Sequence, residues 1–277
     1  MAGTQVGAAD VTVSAESLTL EEAIANLRSE DASLRYYAAW WVGRFRVDLP
    51  EVIEALIDGL GFTGDATDDG MFPLQRNVAR ALGKLGDRQA VVPLIEKLES
   101  PDFYVREAAA QSLGMLGDRQ AIEPLRKLLA GGVAAAVQVP GKPHLVQPYD
   151  AVLEALGELG AAEVIAEIQP FLQHSLEKVA YGAARAMYQL TQESQYGERL
   201  VQALAGPSLQ LRRTALSDVG AIGYLEAAEA IFHTEAENSL KLYSLKGLLE
   251  HPKAQGDREG ELTAAQIQIM DLMDGLL

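Results

Sequence analysis

Four aromatic rings fall within six residues, Tyr36-Tyr37-Ala38-Ala39-Trp40-Trp41. On a helix Tyr36 and Trp40 share one face, and Tyr37 and Trp41 share another, because side chains four residues apart are neighbours. Rings on an open face would bind a ligand through apolar and π contact. Arg76, Arg80, Arg185 and Arg213 are candidates for an anion site, since guanidinium matches carboxylate geometry. Asp150, Glu154 and Tyr181 complete the polar set. His144, in Val139-Pro140-Gly141-Lys142-Pro143-His144, is a candidate proton donor on a long connection. Nothing specifies a nucleophile, so the catalytic residue stays unassigned. The sequence has no phosphate-cradling glycine loop, serine elbow or paired-histidine metal spacing. It contains no cysteine, which excludes disulfides, thiolate metal sites and a thiol intermediate on this chain.

These residues must be positioned by a repeat. Leu82-Gly83-Lys84-Leu85-Gly86-Asp87-Arg88-Gln89-Ala90 recurs 31 residues later as Leu113-Gly114-Met115-Leu116-Gly117-Asp118-Arg119-Gln120-Ala121. Such periods mean stacked helical hairpins, an all-α solenoid with a right-handed superhelix. Val42, Leu82, Leu113, Leu156, Met187 and Val219 take one repeat position. Two of the spacings, 40 and 43 residues, exceed the basic period and predict insertions near 62–73 and 131–147. The division expected is a flexible leader over 1–16, then one solenoid over 17–277 of about six to seven hairpins. Thr19-Leu20-Glu21-Glu22 reads as a capping box, and Ser100-Pro101 as a cap followed by proline at the first helical position. Gly86, Gly117 and Gly160 read as left-handed helix stops. A helix near Thr263–Leu276 closes the stack.

Alignment of the repeats predicts exposure. The column of Trp40 holds Arg80, Gln111, Glu154, Arg185 and Ser217; that of Tyr36 holds Arg76, Glu107, Asp150, Tyr181 and Arg213. Columns so polar face solvent, which predicts Tyr36 and Trp40 exposed and stacked on each other. The columns of Tyr37 and Trp41 hold mostly small residues, so those two rings are expected to pack beneath the N-terminal hairpin in support. Arg35, Arg106 and Arg212 share another column and are expected to form a ladder between repeats with Asp87 and Asp118.

The formal charge of −16 argues against nucleic acid and anionic membrane surfaces as partners. No run of 18 apolar residues predicts a membrane span, and the acidic N-terminus lacks the pattern of a signal peptide. A cytoplasmic location is the expectation.

Three stretches carry a resemblance. Ser33-Leu34-Arg35-Tyr36-Tyr37-Ala38-Ala39-Trp40-Trp41-Val42-Gly43-Arg44, Asp102-Phe103-Tyr104-Val105-Arg106-Glu107-Ala108-Ala109-Ala110 and Gly131-Gly132-Val133-Ala134-Ala135-Ala136-Val137-Gln138-Val139-Pro140-Gly141 resemble the E-type (alpha) subunits of heterodimeric E/F phycobilin lyases. The similarity runs from about Thr19 to Gln192. It implies a HEAT-like helical-repeat solenoid that pairs with an F-type subunit. It further implies attachment of phycocyanobilin by a thioether to a cysteine of the phycocyanin alpha subunit during phycobilisome assembly, in the cyanobacterial cytosol or an algal plastid stroma. Phycocyanobilin would be substrate, with no prosthetic group. The thiol comes from the acceptor, in keeping with a chain that has none. On this reading Tyr36 and Trp40 give the bilin its aromatic faces, Arg76, Arg80 and Arg185 hold its propionates, and Asp150 or Glu154 accepts its pyrrole N–H groups. Two alternatives remain: a non-catalytic scaffold or chaperone presenting the apo-phycobiliprotein, and a sister lyase or lyase-isomerase subunit serving another acceptor such as phycoerythrocyanin.

Overall fold

The computed structural model describes residues 18–255 and 262–277. The leader expected over 1–16 lies outside them. Seven long helices stand side by side: α2 (Ala32–Phe45), α4 (Pro73–Leu85), α6 (Phe103–Leu116), α9 (Tyr149–Glu158), α11 (Glu177–Thr191), α13 (Leu209–Ile222) and α15 (Asn238–Glu250). A second row of shorter helices backs them: α1 (Leu20–Leu27), α3 (Pro50–Gly59), α5 (Val91–Lys97), α7 (Ile122–Lys127), α10 (Ile165–Ile168), α12 (Ser194–Leu204) and α14 (Ala228–His233). Each short helix packs on the next long one, so every hairpin shares its core with its neighbours. The short α8 (Gly132–Ala135) belongs to the second insertion, and α16 (Ala264–Asp274) closes the C-terminal end behind a Thr263/Gln266 capping box.

Helix α4 shows how the sequence builds one repeat. Leu74, Val78, Ala81 and Leu82 recur at helical spacing and are buried, while Arg76, Arg80 and Lys84 fall on the other side. Gly86 ends the helix at φ 81°, as Gly117 ends α6 at φ 67°, conformations glycine adopts without steric cost. In the aromatic repeat the matching residue is Arg46, at φ 52°. Its guanidinium donates to the Lys84 carbonyl at 2.8 Å, one of the free carbonyls at the end of α4.

The second glycine signal in the repeat is about distance. A methyl group on Gly43 would lie 3.0 Å from Ala81, on Gly83 2.8 Å from the Ser112 Cα, on Gly114 3.0 Å from Ala155, and on Gly157 2.7 Å from Ala186. The Leu-Gly pair therefore sets a glycine of one long helix against the small column of the next. Trp41 occupies that small column in α2, the first long helix, where no earlier long helix presses on it. It is half-buried against the core, tilted on Phe45 with centroids 4.8 Å apart. The ladder breaks once. Tyr188 stands where α11 should carry the glycine, Asp218 where α13 should carry the small residue, and α13 makes the thinnest contact of the long row with α11.

Two local expectations are corrected. Asp102, not Ser100, caps α6, accepting from the Tyr104 N–H at 2.8 Å and also from the Phe72 N–H at 2.7 Å. A carboxylate that can serve two backbone donors displaces the shorter serine, whose Oγ instead accepts from the Asp102 N–H. The Asp–Arg ladder does not form. Asp87 and Asp118 cap short 3-10 turns by accepting from the Gln89 and Gln120 N–H groups. Arg106 and Arg212 donate instead to carbonyls, including those of Ser100 and Gly206, while Arg35 lies 4.7 Å over the Phe62 ring.

Candidate functional site

Tyr36 and Trp40 are exposed, at 46% and 38%, on the solvent face of α2. Their mutual stack does not form. Trp40 stacks on Tyr37 instead, with centroids 5.7 Å apart and planes 23° apart, and Tyr37 is half-buried. The i, i+3 pair meets because a helical side chain leans back toward the preceding turn. Tyr36 thus keeps its ring free. Its carbonyl accepts from the Asn77 amide at 2.7 Å, which fixes α2 against α4.

The next long helix places Arg76 and Arg80 one turn apart on the same face. Arg76 lies over the Tyr104 ring at 5.0 Å, and its Nε has no hydrogen-bond partner. Arg80 reaches Glu107 only at 4.0 Å. Burial depresses the Arg80 guanidinium below its usual value, and the charge of Arg76 adds to that, with Glu107 opposing. Two adjacent cations with spare donors attract an anion. The face thus continues from Tyr36 and Trp40 across two arginines to Tyr104.

Beyond Tyr104 the second insertion closes a cleft of about 260 Å³ with Phe103, Glu107, His144, Asp150 and Lys178 in its walls. The insertion folds back through a single antiparallel bridge, Gln138 to Leu145. Arg106 holds its far end, donating to the Val146 carbonyl and the Gln147 side chain, both at 2.9 Å. His174 Nε2 meets the Ala136 carbonyl at 3.0 Å. His144 lies flat on Phe103, with Tyr104 edge-on to it. Lys178 bonds Asp150 closely and Glu107 at 3.5 Å. Burial would lower the Lys178 amine, but Asp150 and then Glu107 outweigh it and raise it.

Four candidates sit elsewhere than their columns suggest. Arg185 is surrounded by Glu154, Glu158 and Asp218, with 11% of its side chain exposed. Asp150 is buried beneath Lys178. Tyr181 borders a separate cleft of about 400 Å³ with His174, Gln195 and Arg199. Arg213 pairs with Glu237 near the C-terminal end. A polar column is open at the ends of the row and half-buried in the middle, where opposite charges on adjacent helices pair. Sequence reading missed Phe103, Tyr104 and Lys178. The aromatic pair after Asp102 was the available signal; Lys178 had none, since its partners lie on α6 and α9.

Residues 34–62 match the PBS lyase HEAT-like repeat and residues 65–138 the HEAT repeats. The chain is 61% identical over 260 residues to the phycocyanobilin lyase subunit alpha of Nostoc sp. (strain PCC 7120), covering 94% of each chain. It is 60% identical over 265 residues to that of Picosynechococcus sp., covering 95% of this chain and 98% of the relative. The solved complex of CpcE and CpcF of phycocyanin lyase from Nostoc sp. PCC7120 contains a chain with a TM-score of 0.88 and 58% identity, covering 100% of both chains. Among the described residues, no helix is long and apolar enough to cross a membrane.

Proposed function

This chain belongs to the family of phycocyanobilin lyase alpha subunits, and we propose that, paired with an F-type subunit, it joins phycocyanobilin by a thioether to a cysteine of the phycocyanin alpha subunit. The observation that carries this reading is the continuous face from Tyr36 and Trp40 through Arg76 and Arg80 to Tyr104. An open-chain tetrapyrrole is flat, apolar and conjugated, and it carries two propionates. Exposed rings receive the π surface. Arg76 and Arg80 hold the propionates, while Arg185 is already engaged by three carboxylates. Asp150, in the cleft wall, accepts pyrrole N–H groups when Lys178 swings aside.

The bilin is substrate and no prosthetic group is required. The acceptor supplies the thiol, and this chain holds the bilin in one conformation so that the thiol meets the correct carbon. Positioning of that kind converts a random encounter into an effectively unimolecular step. The proposal puts this reaction in the cytoplasm, or in the plastid stroma of an alga.

The experiment is co-expression with phycocyanobilin, apo-phycocyanin alpha subunit and the F-type partner, each omitted in turn. Covalently tagged, red-absorbing acceptor that requires this chain supports the proposal. A Tyr36→Ala, Trp40→Ala double variant is expected to lose transfer and keep its helicity. Tagging that proceeds equally without this chain leaves it a scaffold.

A further inference from the structure

Three carboxylates of α9 and α13 face one guanidinium of α11. Asp218 Oδ1 lies 3.0 Å from Arg185, Glu154 Oε2 lies 3.4 Å from it, and Glu158 forms a closer pair. One cation cannot neutralise three anions, and the other nearby cation, Lys178, acts more on Asp150 and Glu107 than on Glu154. Asp150 lies one turn from Glu154 on α9, and Lys178 on α11 is shared between Asp150 and Glu107 of α6. Asp218 Oδ2 has no partner at all. Like charges crowded in a half-buried site cannot all ionise, so the cluster retains a proton.

Geometry selects the carrier. Glu154 has the longest of the three contacts to Arg185, so its carboxyl is the least tightly hydrogen-bonded of the three. Its side chain is 19% exposed, between 4% for Asp218 and 26% for Glu158, and Glu158 is the one held in the closest pair with Arg185. Its other oxygen lies toward Gly182, where a methyl group would stand 3.5 Å away. Burial raises the Glu154 carboxyl to about 8; Arg185 opposes the rise, while Asp218, Asp150 and Glu158 add to it. Glu158 and Asp218 are also raised, mainly by burial.

Building on the bilin-lyase reading above, we propose that Glu154 is the proton donor of the ligation step, one helical turn from Asp150 in the cleft wall. The acceptor's sulfur forms a bond to the outer carbon of the ring A ethylidene group. The π pair of that double bond moves to the ring carbon, which takes the proton of Glu154. The thiol releases its own proton to solvent, and the Glu154 carboxylate left beside Arg185 regains one from water. The sum is addition of a thiol across a double bond, with no oxidant or reductant. Asp150, one turn away in the cleft wall, accepts pyrrole N–H groups once Lys178 has swung aside.

The test uses the heterodimer with its F-type partner, phycocyanobilin and apo-phycocyanin alpha subunit. Wild-type transfer is expected to fall with rising pH above about 8, as the acid form is lost. Glu154→Gln is expected to lose about 100-fold in transfer rate while binding bilin with unchanged affinity by fluorescence titration, and Glu154→Asp to recover part of the rate. A merely structural role would move bilin affinity and melting temperature and leave the alkaline limb in place. Carboxyl carbon NMR of the bilin-free heterodimer reads the proton independently of turnover. Titration of Glu154 near the ordinary value of 4.5, or normal transfer by Glu154→Gln, overturns the assignment and leaves the lyase reading intact. A wild-type heterodimer that transfers no bilin overturns both.

Discussion

The ring of His144 lies 4.2 Å from that of Phe103, centroid to centroid, with the planes 11° apart. The contact joins the tip of the second insertion to the first turn of α6, 41 residues earlier in the chain. It is what closes the cleft over Lys178 and Asp150.

Phe103→Ala is therefore expected to loosen the insertion without unfolding the stack. An aromatic pair contributes about 0.5–1.5 kcal/mol beyond its burial, so exchange of the Val139 and Val146 amides, which bridge to His144 and Val137, should quicken by about 2- to 10-fold. Hydrogen exchange read by NMR checks this. Unchanged protection at both amides would show that the Arg106 bonds alone hold the segment.

Arg185 and Arg76 are expected to separate stability from binding. Arg185→Met strands three carboxylates and should cost about 3–5 kcal/mol in urea unfolding. Arg76→Met removes a half-buried cation packed on Tyr104 and should cost less than about 1 kcal/mol, while weakening bilin binding. A comparison of unfolding midpoints with bilin titrations distinguishes the two.

The pH dependence of stability follows from Glu154. Its carboxyl is raised from 4.5 to about 8 in the folded chain. Between those values the folded state binds more protons than the unfolded one, so the favourable contribution is complete below about pH 4.5 and is lost as pH rises through about 8. Wild-type stability should decline across that window, by at most about 1.4 kcal/mol per pH unit for one proton. Glu154→Gln should flatten the decline. Urea midpoints measured across the window decide it; equal slopes would remove Glu154 as the cause.

Gly83→Ala tests the packing ladder. The added methyl would meet the Ser112 Cα at 2.8 Å, a backbone atom that cannot rotate aside. Loss of about 1–3 kcal/mol is expected, with the α4 to α6 spacing widened. Ser112→Ala would not rescue it, since the clash is with the main chain, and it would also strip the bond from Ser112 Oγ to the Ala79 carbonyl.

Most of the fold was legible because each repeat repeats its reasons. Leu82 and Leu113 mark the same buried position, Gly86 and Gly117 the same left-handed stop, and Thr19 with Glu22 a capping box that the structure forms. The exposure of Tyr36 and Trp40 was legible for the same reason: five sister residues were polar. Partner choice was not. A column says which way a side chain points, not that Arg185 will find Glu154, Glu158 and Asp218 on two other helices. The second insertion was visible as excess length, but its stack of His144 on Phe103 is a contact between unlike segments, and no periodicity encodes it. Asp102 shows a third limit: that one carboxylate serves two chain segments depends on where Phe72 returns, which the first insertion decides.

The interrupted glycine ladder has a mechanical consequence. From α2 to α11 backbone meets nearly bare backbone, and such joints hardly bend. At Tyr188 and Asp218 the seam is instead made of side chains: Tyr188 edge-on to Tyr224, Lys253 donating to the Tyr188 hydroxyl at 2.6 Å, and Arg185 bridging to Asp218. The seam between α11 and α13 is thus the one joint of the described long row that side-chain chemistry, rather than close backbone approach, holds together.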